Sequence, residues 1–321
     1  MLCFRTLNAI LKLETMKSIR ISFLLLLFLG GNLCFAQDST AKKDTSYWKK
    51  TGSVGFNFAN VGLSNWAAGG VSSVSLGTVV NLSSDYTKDV HSWKNSLLFA
   101  YGVLRQGGSS FPFKKTDDNL LISSQYGRNL GGSTSPWSWV VGASLRTQVA
   151  DGYLFAPDPN RPGQELASKI STFMAPGYLV GNTGIDYTIK DIFSVKVAPI
   201  TWRMTIVNDD ALSRAGAFGV TPGQKTRSQF GWSLASTFKK EIFKNITFNN
   251  TLNLFGDYAR LGVVVVNWET LLVMKVNKYI NTTFGTQLIY DHDVNIQRSN
   301  GTIGQAVQFK HVLNVGVAIT L

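Results

Sequence analysis

Gln229-Phe230-Gly231-Trp232-Ser233-Leu234-Ala235-Ser236-Thr237-Phe238-Lys239 alternates bulky apolar residues with small or polar ones. Successive side chains of a strand point to opposite faces. Phe230, Trp232, Leu234 and Phe238 therefore share one face, and Gln229, Gly231, Ser233, Ala235, Thr237 and Lys239 share the other. The same unit recurs twelve times between Trp48 and the last residue, without intervening helical stretches. Twelve strands with one greasy and one wet face suit a closed sheet that is oily outside and polar inside. That pattern predicts an all-β fold, a twelve-stranded antiparallel transmembrane β-barrel of the outer membrane.

The strands are expected near 50–59, 73–86, 93–104, 119–128, 137–149, 171–189, 192–206, 227–238, 246–256, 263–276, 279–290 and 305–320. In the seventh, the apolar phase shifts from odd positions (Phe193, Val195, Val197) to even ones (Ile200, Trp202, Met204, Ile206). A bulge at Ala198-Pro199 accounts for the shift, because proline cannot donate to the ladder. Connections give an independent signal. Those at Thr87-Lys88-Asp89, Gly131-Gly132-Ser133, Lys190-Asp191, Lys240-Glu241 and Asn277-Lys278 are short, whereas 105–118, 150–170, 207–226 and 291–304 are long, and only 257–262 is brief. Membrane barrels alternate short periplasmic turns with long external loops in this way, which puts both termini in the periplasm. Aromatics form a third signal. Trp93, Trp137, Phe193, Tyr187, Phe238 and Tyr279 fall at the short-turn ends, and Tyr101, Tyr153, Phe173, Trp202, Phe230, Tyr258, Trp268 and Tyr290 toward the long-loop ends. Amphipathic rings favour the two lipid–water boundaries. A soluble barrel would turn its greasy face inward and seldom need twelve strands.

A barrel of this kind needs export, and the start of the chain supplies a signal for it. Met16-Lys17-Ser18-Ile19-Arg20, the apolar run from Ile21 to Leu29, and Cys34-Phe35-Ala36 before Gln37 read as a signal peptide over 1–36, with Met16 as the expected start. The run is too short for a spanning helix, which needs about 20 residues. Lipid anchoring at Cys34 is the competing reading, weakened by Leu33 where a small residue is usual. Cleavage after Ala36 would remove Cys3 and Cys34 and leave no thiol for disulfides or metal sites. Lys+Arg would fall from 31 to 27 and Asp+Glu from 19 to 18, so the net charge would drop from +12 to +9. These basic residues are scattered among turns and wet faces, which argues against nucleic acid as a partner. A solvated rim beside anionic headgroups accounts for them better. Residues 37–47 are polar and aperiodic, a flexible periplasmic leader, and 48–321 form the barrel as one domain.

Asn65-Trp66-Ala67-Ala68-Gly69-Gly70 resembles a motif of a Bacteroidota family of unknown function whose members are expected to be outer-membrane barrels. Companion stretches are Lys115-Thr116-Asp117-Asp118, Thr147-Gln148, Ala175-Pro176-Gly177-Tyr178, Ala198-Pro199-Ile200-Thr201, Val266-Asn267-Trp268-Glu269 and Lys275-Val276-Asn277-Lys278-Tyr279. The resemblance extends over nearly all of 48–300. It implies location and architecture, and supplies no activity, substrate or site residues. Read from its residues, the motif is a functional loop (Asn65, Trp66, Gly69, Gly70) or simply a tight first hairpin with Trp66 anchored in the upper girdle.

Two constellations could carry chemistry. Arg146, Gln148, Asp186, Lys196, Lys239, Asp257, Glu269, Lys275 and Asp291 project inward on the expected register. They either set the field of a pore or fill a narrow lumen with ion pairs. Twelve strands enclose more than a filled eight-stranded barrel and less than a porin. At the outer rim, Asp209-Asp210 and Asp291-His292-Asp293 hold the residue types of a hydrolase that activates water with paired acids and an Asp/His couple. Aspartate is also common in loops for its turn chemistry. His91 and His311 fall in a periplasmic turn and on the lipid face, no Gly-x-Ser-x-Gly elbow occurs, and no histidine cluster has metal spacing. The expected role is a small-solute channel, not an enzyme, with no cofactor or metal. Its partners would be outer-membrane lipid, small solutes and the machinery that inserts such barrels. A plugged, partner-binding barrel is the alternative.

Overall fold

The computed structural model describes residues 46–61, 72–107, 109, 111, 113–189, 192–277, 280–298 and 302–320. The expected signal peptide, residues 37–45 of the leader, and the 65–70 motif lie outside them. The strands are β1 (Trp48–Val61), β2 (Ser73–Lys88), β3 (His91–Gln106), β4 (Lys114–Asn129), β5 (Trp137–Thr147), β6 (Gly152–Pro157), β7 (Glu165–Ser171), β8 (Gly177–Ile189), β9 (Phe193–Ile206), β10 (Thr226–Phe243), β11 (Ile246–Asp257), β12 (Val264–Lys275), β13 (Ile280–Tyr290), β14 (Ile296–Gln297), β15 (Ile303–Gly304) and β16 (Gln308–Thr320). Twelve of them close into one antiparallel barrel in the order β1-β2-β3-β4-β5-β8-β9-β10-β11-β12-β13-β16, with β16 returning to β1. The remaining four form two small hairpins, β6–β7 and β14–β15, inside long connections.

Alternation holds along the wall. On β5, Trp137, Trp139 and Val141 are exposed outside, while Val140, between the last two, and Gly142, after them, are buried. Trp137 is opposite Tyr187 and Trp139 opposite Ile185, so register keeps the apolar faces together. The lower aromatic belt is continuous enough for its rings to touch: Trp48 lies 5.3 Å from Tyr86 and 6.0 Å from Trp93, and Trp137 lies 4.7 Å from Tyr187. Tyr47, assigned from sequence to the leader, already belongs to the wall. Its carbonyl accepts from Thr87 N (2.9 Å), and its ring meets that of Tyr86.

The seventh barrel strand, β9, carries the expected bulge. Thr183 faces Ile200 but Ile185 faces Val197, and on the other side Gly231 faces Thr201 while Ser233 faces Ala198. Gly184 lies against the extra residue; a Cβ there would meet Val197 O at 2.1 Å and Ala198 Cα at 2.5 Å. The bulge thus fixes one glycine, and it turns Thr201, Arg203 and Thr205 inward, where they are buried.

Three boundaries differ most from the sequence reading. β10 runs on to Phe243 rather than ending near 238, because Lys240, Glu241 and Phe243 stay paired to β11, so the turn lies at Lys244-Asn245 and not at Lys240-Glu241. β4 begins at Lys114 rather than near 119, because a bulge at Thr116 extends its pairing with β3. The sixth barrel strand, β8, begins at Gly177 rather than 171, because Glu165–Ser171 pairs locally with Gly152–Pro157 instead. Tyr153 accordingly sits in this hairpin, beside Phe155, and not in the upper belt of the wall.

Gly184→Ala pushes a methyl into backbone that cannot yield and is expected to destabilise the folded barrel by about 1–3 kcal/mol. Gly181→Ala, whose Cβ would meet only Trp202 Cε3 at 3.8 Å, is expected to be neutral. Urea midpoints of the two variants in detergent check both.

Candidate functional site

At the long-loop end, the inward faces of β8 to β11 and the segment after β13 converge on a charged network. The inward phase set by the bulge aims Arg203 at Asp291, which its Nη2 reaches at 2.8 Å, both side chains being buried. The Arg203 guanidinium is flanked by the rings of Tyr178 (4.9 Å) and Phe255 (5.5 Å), which shield it while leaving its edge to the carboxylate. Next to it, Asp293 receives two bonds from Arg260 (2.8 and 2.8 Å) and an ion pair from Arg227 (2.8 Å). Asp257 completes the set, accepting from Gln229 Nε2 at 3.1 Å and lying 3.5 Å from Arg260 Nε as an ion pair. Three arginines thus neutralise three aspartates, as burial requires.

Burial raises the Asp293 carboxyl, but hydrogen bonds from Arg260 and Arg227 outweigh it and hold the group below the usual 3.8. Arg203 Nη1 and Arg260 Nε are buried without a hydrogen-bond partner among the described residues.

A cap of loops rests on this network. The helix α1 (Asp210–Arg214) starts at Asp209, whose side chain accepts from Ala211 N and Leu212 N. Val207, Leu212 and Val220 pack with Ala175 into a buried apolar cluster joined by Ala217 and Phe218. Gly219, at φ +77°, lets this loop touch the charges; a Cβ would meet Arg227 Nη1 at 2.5 Å and Asp293 Cβ at 2.7 Å. The β6–β7 hairpin is tied to the same cap through Lys169–Asp209 and to β4 through Lys114–Glu165 at 2.5 Å. The Lys169 bond, with the Leu212 amide, keeps the Asp209 carboxyl below its ordinary range.

The rim acids named from sequence are therefore separated by their partners. Asp209 serves α1 and Lys169, Asp210 pairs with Lys225 (2.8 Å), Asp291 with Arg203, and Asp293 with Arg227 and Arg260. Each carboxylate is engaged by a cation, and no hydrogen bond joins His292 to any of them among the described residues.

The lumen residues divide by height. Arg146 donates to Asn119 (2.9 Å), Lys196 to Gln125 (2.9 Å), and Asp186 accepts from Thr188 (3.2 Å), all against one wall. Glu269 takes Asn267 (3.0 Å) and Gln287 (2.8 Å), whereas Lys239 and Lys275 are exposed toward the short-turn end. Gln148 lies just past β5, under the hairpin, where its carbonyl accepts from Lys115 (2.8 Å) and Ser171 (2.7 Å). Sequence reading missed Arg203, Arg227 and Arg260. The phase shift at Pro199 marks Arg203 as inward-facing, but its partner, 88 positions away, has no local signal.

Residues 58–153 match the family described as Protein of unknown function (DUF3078), a shorter stretch than the resemblance over 48–300. A comparison with curated proteins finds no match. Among solved structures, an outer membrane channel of Pseudomonas putida F1 is similar at 8% identity and a TM-score of 0.39, over 88% of this chain and 100% of that one. The translocator domain of the autotransporter NalP from Neisseria meningitidis is similar at 10% identity and a TM-score of 0.29, over 95% and 96%. A porin gives 9% identity and a TM-score of 0.31, over 85% and 100%. Likenesses of this size say nothing about what the barrel carries.

Asp293→Asn strips the shared partner from two arginines and is expected to cost about 3 kcal/mol. Because the folded Asp293 pKa is depressed, its stabilisation is present above about 3.8 and is lost as pH falls through the lowered value. Protease cleavage of the cap, slow at neutral pH, should therefore accelerate in wild type on strong acidification and already be fast at pH 7 in the variant.

Proposed function

We propose that this chain is an outer-membrane barrel, both termini periplasmic, that passes small solutes through its polar lumen under a mouth narrowed by the Arg–Asp network. The observation that carries this reading is the division of the wall. Rings and branched side chains such as Phe56, Trp139, Trp202 and Phe230 are exposed outside, and charged or polar residues line the inside. In hydrocarbon such a surface is at home, and closure satisfies the backbone. Lipid is then the partner of the outer face, and insertion falls to the outer-membrane assembly machinery.

Away from the neutralised mouth, Arg146, Lys196, Lys239 and Lys275 outnumber Asp186 and Glu269 among the residues read as lining the inside. That excess of positive charge favours anions. Purified protein in a planar bilayer is expected to conduct with anion preference, and Lys239→Glu with Lys275→Glu to reverse the sign of the reversal potential in a salt gradient. A barrel sealed at all voltages overturns the channel reading and leaves the plugged, partner-binding one. Surface proteolysis of intact cells is expected to cut within 150–170 or 207–226; cleavage confined to the turns near 88, 190 and 240 reverses the orientation.

A further inference from the structure

The closing seam of the barrel is incomplete. Among the described residues β1 pairs with β16 over five residue pairs, from Ser53↔Thr320 to Asn57↔Gly316. Above that point β1 continues, paired to β2 as far as Val61↔Ser73, and β16 continues, paired to β13 as far as Ile289↔Gln308. Continuing the register would set Phe58 to Val61 against Val315 to Val312, yet that ladder is not made. Four residues at about 3.3 Å each give a slot roughly 13 Å tall. A cavity of about 170 Å³ lies in it.

The two sides of this slot differ chemically. Its outer lip is apolar: Phe58 is 63% exposed, Leu313 67% and Val315 60%, with Leu76 beside them. Its inner lip is polar, with Asn57 and Asn314 on the lumen face. Across the inner side, Lys310 of β16 reaches Asp117 of β4 at 3.3 Å, both nearly half exposed. The bulge at Thr116 brings Asp117 there. At the foot of the slot, Gly316 admits the Asn57 side chain; a Cβ would meet Asn57 Oδ1 at 2.3 Å.

An unpaired strand edge is not tolerated against lipid, but irregular backbone is tolerated where it lines a water-filled cavity. The polar inner lip supplies that condition from the lumen, and the apolar outer lip meets the acyl chains. We propose that the β1–β16 slot is a lateral opening through which an amphiphile with a single aliphatic chain and an anionic head passes between lumen and bilayer. This rests on the reading of the barrel as a membrane-spanning one. The cavity has room for about five or six waters at ~30 Å³ each, enough for a stretch of one alkyl chain and far too little for a helix about 10 Å wide. The head would exchange for Asp117 on Lys310, because that pair is long, solvated and screened, unlike the buried pairs of the mouth.

The test uses dodecanoate bearing a terminal diazirine, photolysed with the full chain in liposomes after Cys3 and Cys34 are changed to serine. Labelling is expected to concentrate on residues 57–59 and 312–315. It should be lost in an Ala59→Trp variant, which fills the slot, and in an Ala59→Cys/Asn314→Cys pair on oxidation, returning on reduction. Labelling spread evenly over the lipid-facing wall, or unchanged by the tryptophan, overturns the opening. Preference for the carboxylate over the same chain ending in a hydroxyl should vanish in Lys310→Ala; equal labelling by both in wild type overturns the anionic head. Ion conductance of the same samples reads the lumen separately. A non-conducting wild type with slot-specific labelling removes the channel and keeps the opening, and the reverse result removes only the opening.

Discussion

A sheet immersed in hydrocarbon has no water to satisfy its edges, so its backbone groups must be paired around a ring. Everything else in this molecule depends on that closure. It is made by the five residue pairs between β1 and β16, the shortest ladder in the barrel. Because the ring is closed, the apolar face has nowhere to turn but outward, and the wet face becomes a lumen. On that inner face Lys239 and Lys275 are exposed, with no ion pair among the described residues, whereas Arg203 and Asp291, covered by rings and loops, have to neutralise each other.

The wall was legible in the sequence because its cause is local. A period of two, broken by turn residues, marks all twelve barrel strands. Even the bulge of β9 could be read, since Pro199 and the change of apolar phase from Val197 to Ile200 are both within reach of the eye. Local reading failed where pairing had two solutions. The sequence reading left 150–170 as one long connection and began the sixth strand at 171, but 165–171 fold back on 152–157 as a hairpin, and nothing in either stretch alone declares that choice.

The mouth was half legible. Asp291 and Asp293 could be seen as rim acids from their position after a strand, but their partners come from β9, β10 and the turn after β11. Those meet only through the register of four strands. Reading the acids alone left out the arginines opposite them, which engage the same carboxylates and tie the strands together. The cap shows the same principle, since its apolar cluster joins Ala175 to Val207, Leu212 and Val220 across two connections that neither sequence window contains.

The seam joins the first strand of the barrel to the last, residue 53 to residue 320. Contacts so distant along the chain are the costliest to bring about, and their loop-closure entropy is paid only once the intervening strands are in register. Until β16 pairs with it, β1 has one bare edge, and such an edge is a template for any other strand nearby. An escort that occupies it until β16 arrives would protect it. A short final ladder is also quickly made and quickly undone, which makes the place where the ring was last joined the place where it most easily parts.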